Sequence, residues 1–218
     1  MKKVIIFDLD GTLLDTLVDL KNAVNYALSF FDYPKRTLTQ VRRDIGNGVA
    51  KLIERSIPNG LLNENYAKCL DLFKEHYSKN YMCNTHAYNG MYDTIVHLKE
   101  VGYIISVATN KIIEIAKALI DREFPGQFEM IQGDAEGIKK KPNSNMIDNI
   151  MDYYQVSKDE VIYIGDTNVD EETALNAGVD YALVTYGYRT LEEIKNSCQC
   201  TNLLSSPSEI YDYIINLS

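Results

Sequence analysis

The sequence is poor in the residues from which metal or redox chemistry is most easily read. Its four cysteines, Cys69, Cys83, Cys198 and Cys200, form no C-x-x-C pair, and its three histidines, His76, His86 and His97, form no cluster with them. Zinc-binding and dithiol readings find only weak support on that ground, and the thiols are expected to be free groups in a reducing compartment. Positive charge is also short. Twenty-two Lys and Arg face 31 Asp and Glu, a net charge of −9, against which no basic face could neutralise a nucleic-acid backbone. An anionic ligand must therefore be held by a few local cations or by a metal. No apolar run approaches the length of a membrane span. The four apolar residues between Lys3 and Asp8 are too few for the core of a secretory signal, so a cytoplasmic location is expected, with no membrane or nucleic-acid partner. There is no G-x-x-x-x-G-K-[ST] loop, which excludes nucleotide binding through a P-loop. Repeats and low-complexity tracts are absent too.

What the sequence does contain begins at its fourth residue. Val4-Ile5-Ile6-Phe7 reads as a buried strand, and it stops at Asp8-Leu9-Asp10-Gly11-Thr12. In an extended chain the period of two sends Asp8 and Asp10 to the same side of the strand's carboxyl end, where open α/β sheets hold their ligands. Two like charges at that spacing repel, which a divalent cation or a retained proton would relieve. An ordinary strand-to-turn exit through Asp-Gly is the alternative reading.

Residues 16–84 show helical patterns and no strands. Leu17, Leu20, Val24, Ala27 and Leu28 share one helix face; Val49, Leu52 and Ile53 follow the Gly46-Asn47-Gly48 turn; and Tyr66, Leu70, Phe73 and Tyr77 mark a third helix. From residue 88 strands and helices alternate, with strand-like runs over 103–108, 128–131, 161–164 and 181–185. That grammar predicts an α/β fold, a Rossmann-like parallel sheet with helices on both faces. The first strand belongs to the later sheet, so the expected division is a core of residues 1–15 and 85–218, with 16–84 inserted as an α-helical cap.

A parallel sheet gathers the polar ends of its strands along one edge. Asp8 and Asp10 are thereby grouped with Thr109 and Asn110, with Lys141, and with Asp166 and Asp170. Singly, Thr109 could be a helix cap, Lys141 a solvated member of a lysine run and Asp166 a turn residue. Together they suit phosphoryl transfer: carboxylates for a hard cation, a lysine and hydroxyl or amide donors around Gly11, Thr109 and Asn110 for phosphoryl oxygens, a carboxylate nucleophile and a carboxylate acid.

Phe7-Asp8-Leu9-Asp10-Gly11-Thr12-Leu13, then Thr109-Asn110-Lys111, Lys141-Pro142 and Gly165-Asp166-Thr167-Asn168-Val169-Asp170 resemble the four ordered motifs of the haloacid dehalogenase-like hydrolases, over nearly the whole chain. The resemblance implies that Asp8 forms an aspartyl phosphate and Asp10 is the acid/base. It also implies that Thr109 and Lys141 contact the phosphoryl group, that Mg2+ is bound by Asp8, Asp166 and the main-chain carbonyl of Asp10, and that Asp170 supports the metal or the lysine. The helical insertion, with Arg42-Arg43-Asp44-Ile45-Gly46-Asn47-Gly48-Val49 and Leu52-Ile53-Glu54-Arg55, is similar to the cap of the phosphoglycolate phosphatase and β-phosphoglucomutase-like branch. On that likeness Arg43, Gly46, Asn47 and Gly48 are expected to read the leaving group. Three features depart from the pattern: Asn89 in place of a proline, Asn143 after the Lys-Pro pair, and a short loop over 133–141. The implied activity is magnesium-dependent hydrolysis of a small phosphorylated metabolite by a monomer or homodimer. A sugar phosphomutase, a pyrophosphatase or nucleotidase, and a non-catalytic binding protein of the same fold are the alternatives.

Overall fold

The structure is a computed structural model and describes residues 2–217. In chain order its strands are β1 (Val4–Phe7), β2 (Leu14–Asp15), β3 (His86–Ala87), β4 (Ile104–Ile112), β5 (Met130–Asp134), β6 (Val161–Gly165), β7 (Asp180–Val184) and β8 (Leu203–Leu204). The helices are α1 (Leu17–Ser29), α2 (Leu38–Asp44), α3 (Val49–Ser56), α4 (Tyr66–Asn80), α5 (Met91–Glu100), α6 (Ile113–Glu123), α7 (Asn145–Tyr154), α8 (Asn168–Ala177), α9 (Leu191–Ser197) and α10 (Pro207–Asn216). The chain divides into two compact units, Met1–Leu14 with Ala87–Ser218, and Asp15–His86. It leaves the first through β2 and returns through β3, which form a two-stranded sheet.

The first unit is built on a six-stranded parallel sheet in the order β5-β4-β1-β6-β7-β8. All four residues of β1 are fully buried, as an unbroken apolar run in a central parallel strand must be. Val4 and Ile6 of β1, Ala108 of β4 and Val161 and Tyr163 of β6 point to one face. There they meet Met146, Ile147, Ile150 and Met151 of α7 and Ala174 and Ala177 of α8. Ile5, Phe7, Ile162 and Ile164, one residue out of phase, are just as buried, so the opposite face is covered too. Each such side chain removed from water contributes about 1.5–3 kcal/mol. β4 extends past the expected end at Ala108. Its pairing with β5 shifts register between Ala108 and Ile112, where Ile112 partners Asp134, and the irregularity takes Thr109, Asn110 and Lys111 out of the regular ladder.

The second unit is helical. α1 buries Leu17, Leu20, Ala23, Val24, Ala27 and Leu28 and packs on α4. The buried stripe of α4 is Cys69, Phe73 and Tyr77, a repeat of four; Leu70, expected on that stripe, is half-buried. Where the periodicity predicts three helices there are four. The additional α2 is seven residues long and starts at a capping box in which Thr37 and Gln40 satisfy each other's backbone N–H groups. Its only buried apolar residue is Val41, too little for a periodic signal.

Candidate active site

Sheet register sets the site. Phe7 lies opposite Val107 and Ile164, so the residues that follow these three emerge together at one edge. The N–H of Asp8 donates to the Ile164 carbonyl at 2.8 Å, which continues the ladder for one more residue and fixes where the carboxylate starts. Gly11 then turns the chain with φ at +87°, and a Cβ there would lie 2.3 Å from Asp166 Oδ2. A side chain at position 11 is thus blocked both by backbone conformation and by space.

Lys141 is the hub. Its buried Nζ donates to Asp8 Oδ1 and to Asp170 Oδ1, each at 2.7 Å, and to the hydroxyl of Tyr163 at 2.9 Å. Tyr163 OH also lies 3.0 Å from Asp170 Oδ1 and 3.1 Å from the Ala108 carbonyl oxygen. Burial works against the lysine's charge, but Asp170 and Asp8 outweigh it and hold the ammonium well above its ordinary pKa. Burial likewise works against ionised Asp170. Lys141 and the donors of Thr167 prevail and keep that carboxyl below its usual range. Asp170 Oδ2 accepts from Asp166 N at 3.2 Å, Thr167 N at 3.0 Å and Thr167 Oγ1 at 2.8 Å, so the residue caps α8 while it pairs with the lysine.

Asp8 behaves differently. Burial pushes its pKa up to about 7, with Lys141 opposing and the carboxylates of Asp170 and Asp10 adding to the rise. Burial raises Asp166 as well, reinforced by Asp170 and Asp8. Asp166 Oδ2 accepts the Tyr188 N–H at 2.6 Å, whereas its Oδ1 is buried without a hydrogen-bond partner, a costly state for a carboxylate that faces no cation. Asp8, Asp166 and Asp170 each place one oxygen within 4.8 Å of the other two. Lys141 and Lys111 neutralise two of the four carboxylates at this edge, and the remaining negative charge and oxygen donors fit a hard divalent cation.

The other expected residues are placed as follows. Thr109 is buried, and its Oγ1 accepts the Lys111 N–H at 3.2 Å. The side chain of Asn110 clasps the main chain of Lys141, its Nδ2 donating to the carbonyl at 3.0 Å and its Oδ1 accepting the N–H at 2.8 Å. The carboxylate of Asp10, expected to be the acid/base, sits on Lys111 Nζ at 2.8 and 3.0 Å, and the third member of the carboxylate trio is Asp170, expected to support the metal or the lysine. Lys111, Tyr163 and Tyr188 were not marked as site residues by the sequence. Lys111 could have been, since it ends the Thr109-Asn110-Lys111 run.

Arg43, Gly46, Asn47 and Gly48 lie in the second unit. Arg43 is 68% exposed, with Nε 3.9 Å from Asp44 Oδ1. Gly46 and Gly48 have φ of +128° and +81°. Asn47 Oδ1 accepts from Arg55 Nη2 at 2.9 Å, while Arg55 Nη1 donates to the Asp44 carbonyl at 2.8 Å. Arg55 thus pins the loop from both ends.

A parallel α/β sheet with a helical insertion after β1, and with carboxylates and a buried lysine gathered at its carboxyl edge, defines a class of hydrolase. The sequence matches the family described as haloacid dehalogenase-like hydrolase over residues 5–184, and the chain belongs to that family. Among its relatives is the phosphoglycolate phosphatase of Aliivibrio fischeri, 32% identical over 207 residues with 89% of each chain covered. That of Aquifex aeolicus is 29% identical, covering 98% of this chain and 97% of its own. A crystal structure from Lactobacillus delbrueckii subsp. bulgaricus, of a protein provisionally assigned as a phosphoglycolate phosphatase, superposes with a TM-score of 0.93 at 27% identity, covering 98% of this chain and 99% of that one. No helix among the described residues is long and apolar enough to cross a membrane.

Proposed function

We propose that the chain is a magnesium-dependent phosphatase acting on a small phosphomonoester of the phosphoglycolate type through an aspartyl-phosphate intermediate. The observation that carries this reading is Asp8 at the end of β1, bonded to the buried Lys141 and grouped with Asp166 and Asp170. The names of the relatives support the substrate class.

Asp8 and Asp166, with the main-chain carbonyl of Asp10, would hold Mg2+, which when bound offsets charge on the phosphoryl oxygens. An Asp8 oxygen attacks phosphorus as the bond to the leaving oxygen breaks, and Asp10 gives its proton to that oxygen. Asp10, now a carboxylate, takes a proton from water as the water oxygen bonds to phosphorus. The bond to Asp8 then breaks, releasing inorganic phosphate and restoring both residues. Lys141 keeps Asp8 oriented and screens it from the incoming dianion, and Thr109 supplies a hydroxyl to the phosphoryl group. The helical unit serves as the cap, and Arg43 with residues 46–48 contributes contacts to the alcohol.

The test is a panel of phosphoglycolate, pyrophosphate, nucleotides and sugar phosphates assayed for released phosphate with and without Mg2+. Phosphoglycolate is expected to lead, and Asp8→Asn is expected to lower its turnover by at least about 10⁴-fold in a folded protein. Retained magnesium-dependent turnover in that variant would sink the nucleophile assignment. Isomerised sugar phosphate with little free phosphate would replace hydrolase by mutase.

A further inference from the structure

The site holds a second buried cation that the reaction just described does not use. The side chain of Lys111 is 4% exposed, and its Nζ is bonded to both carboxylate oxygens of Asp10, which is itself 18% exposed. We propose that Lys111 is a specificity determinant that binds an anionic group on the leaving alcohol, taking it in exchange for Asp10, so that the site selects alcohols bearing a carboxylate a bond or two from the ester oxygen. The inference rests on the assignment of Asp10 as acid/base.

Asp10 has to reach the leaving oxygen, so whatever touches the Asp10 carboxylate lies on the alcohol side of phosphorus. The phosphoryl side is served by Lys141 and Thr109. With both its oxygens on Lys111, Asp10 cannot engage the leaving oxygen until the pair opens, and stripping a nearly buried ammonium of its counter-charge is strongly unfavourable. A neutral alcohol offers the lysine nothing in return. A carboxylate next to the ester oxygen supplies a replacement anion and frees Asp10 in the same event, and the freed carboxyl takes up a proton from solvent before giving it to the leaving oxygen. The discrimination therefore comes from an ion pair exchanged for another, with no new charge buried alone.

Two substrates that differ in this one group separate the outcomes: 2-phosphoglycolate and 2-hydroxyethyl phosphate. The wild-type enzyme is expected to prefer the first by about 100-fold in kcat/KM. In Lys111→Met the value for phosphoglycolate falls by about that factor more than the value for hydroxyethyl phosphate does, so the preference between the two esters collapses. Lys111→Arg keeps the preference. Equal kcat/KM for the two in the wild type, or an equal proportional loss for both in Lys111→Met, overturns the proposal; the first of these needs no variant to fold. If the wild type turns over neither ester, the phosphoglycolate-type substrate reading fails by itself. Calorimetry with the same two compounds on wild type and Lys111→Met then decides the binding claim: a preference for phosphoglycolate that the variant loses supports it, and equal binding refutes it.

Discussion

Lys141 has three ammonium hydrogens, and the structure gives each a different acceptor: Asp8, Asp170 and the hydroxyl of Tyr163. Removing the last acceptor leaves the charge in place but lets it swing. Tyr163→Phe is therefore expected to fold and to lower kcat about 10-fold, the scale of one hydrogen bond to a charged group, with KM little changed. An unchanged kcat in steady-state assays, or a fall confined to KM, would show that the tyrosine is mere packing. This residue also marks the limit of what could be read from the sequence. Asp8, Thr109, Lys141, Asp166 and Asp170 announce themselves because each is polar at the close of an apolar run or in a loop beyond one. Tyr163 sits inside such a run, Val161–Gly165, and reads as one more buried side chain. Its role comes from a hydroxyl meeting a lysine 22 positions earlier, which no local pattern contains. The pairing of Asp10 with Lys111, 101 positions apart, was hidden for the same reason.

Elements were legible in proportion to their length and periodicity. β1, β6 and α1 carry strong patterns; α2, α9 and β8 do not. β8 is two residues long and exists because Leu203 and Leu204 find Leu183 and Val184 at the sheet edge, so tertiary pairing makes it a strand. Within the helical unit a buried acid in the first turn of α1 does comparable long-range work. Asp19 accepts from Asn84 N, Asn84 Nδ2, Thr85 N and Thr85 Oγ1 at 2.7–3.1 Å, tying the start of the unit to its end. Burial opposes its charge, but these donors from Asn84 and Thr85 hold its pKa below the ordinary value. That stabilisation is fully present above the unfolded pKa of about 4 and disappears as pH falls through the lower, folded value. Asp19→Ala should cost roughly 2–4 kcal/mol by leaving buried donors unmet. Thermal melts at pH 7 and pH 3 check it: the gap between wild type and variant must shrink at the lower pH.

For the molecule as a whole, the carboxylates at the sheet edge set the response to pH and metal. Burial pushes the pKa of Asp8 up to about 7, against 3.8 for an unperturbed aspartate. The folded chain therefore holds a proton that the unfolded chain has already lost between about pH 4 and 7, and stability falls as pH rises through that window. Asp166, also raised, acts in the same direction. On the proposed reading, Mg2+ competes with those protons. Its stabilising effect should thus be small at pH 5.5 and grow to several degrees of Tm by pH 8, and Asp8→Asn should flatten the metal-free slope. Melts across pH with Mg2+ or EDTA test both statements, and a Mg2+ shift independent of pH contradicts them.

The central position of β1 has a kinetic side. Val4 pairs with Ile104 on one flank and with Val161 on the other, so the strand that ends at Asp8 is made well before either of its neighbours. During synthesis Val-Ile-Ile-Phe has no sheet partner until the helical unit and then β4 have been made, and is not paired on both sides until β6 follows. Such long-range parallel pairing is slow and leaves the chain open to association in the meantime. The helical unit, compact within residues 15–86, can form well before that. The helical unit can thus fold while β1 still waits for both of its partners.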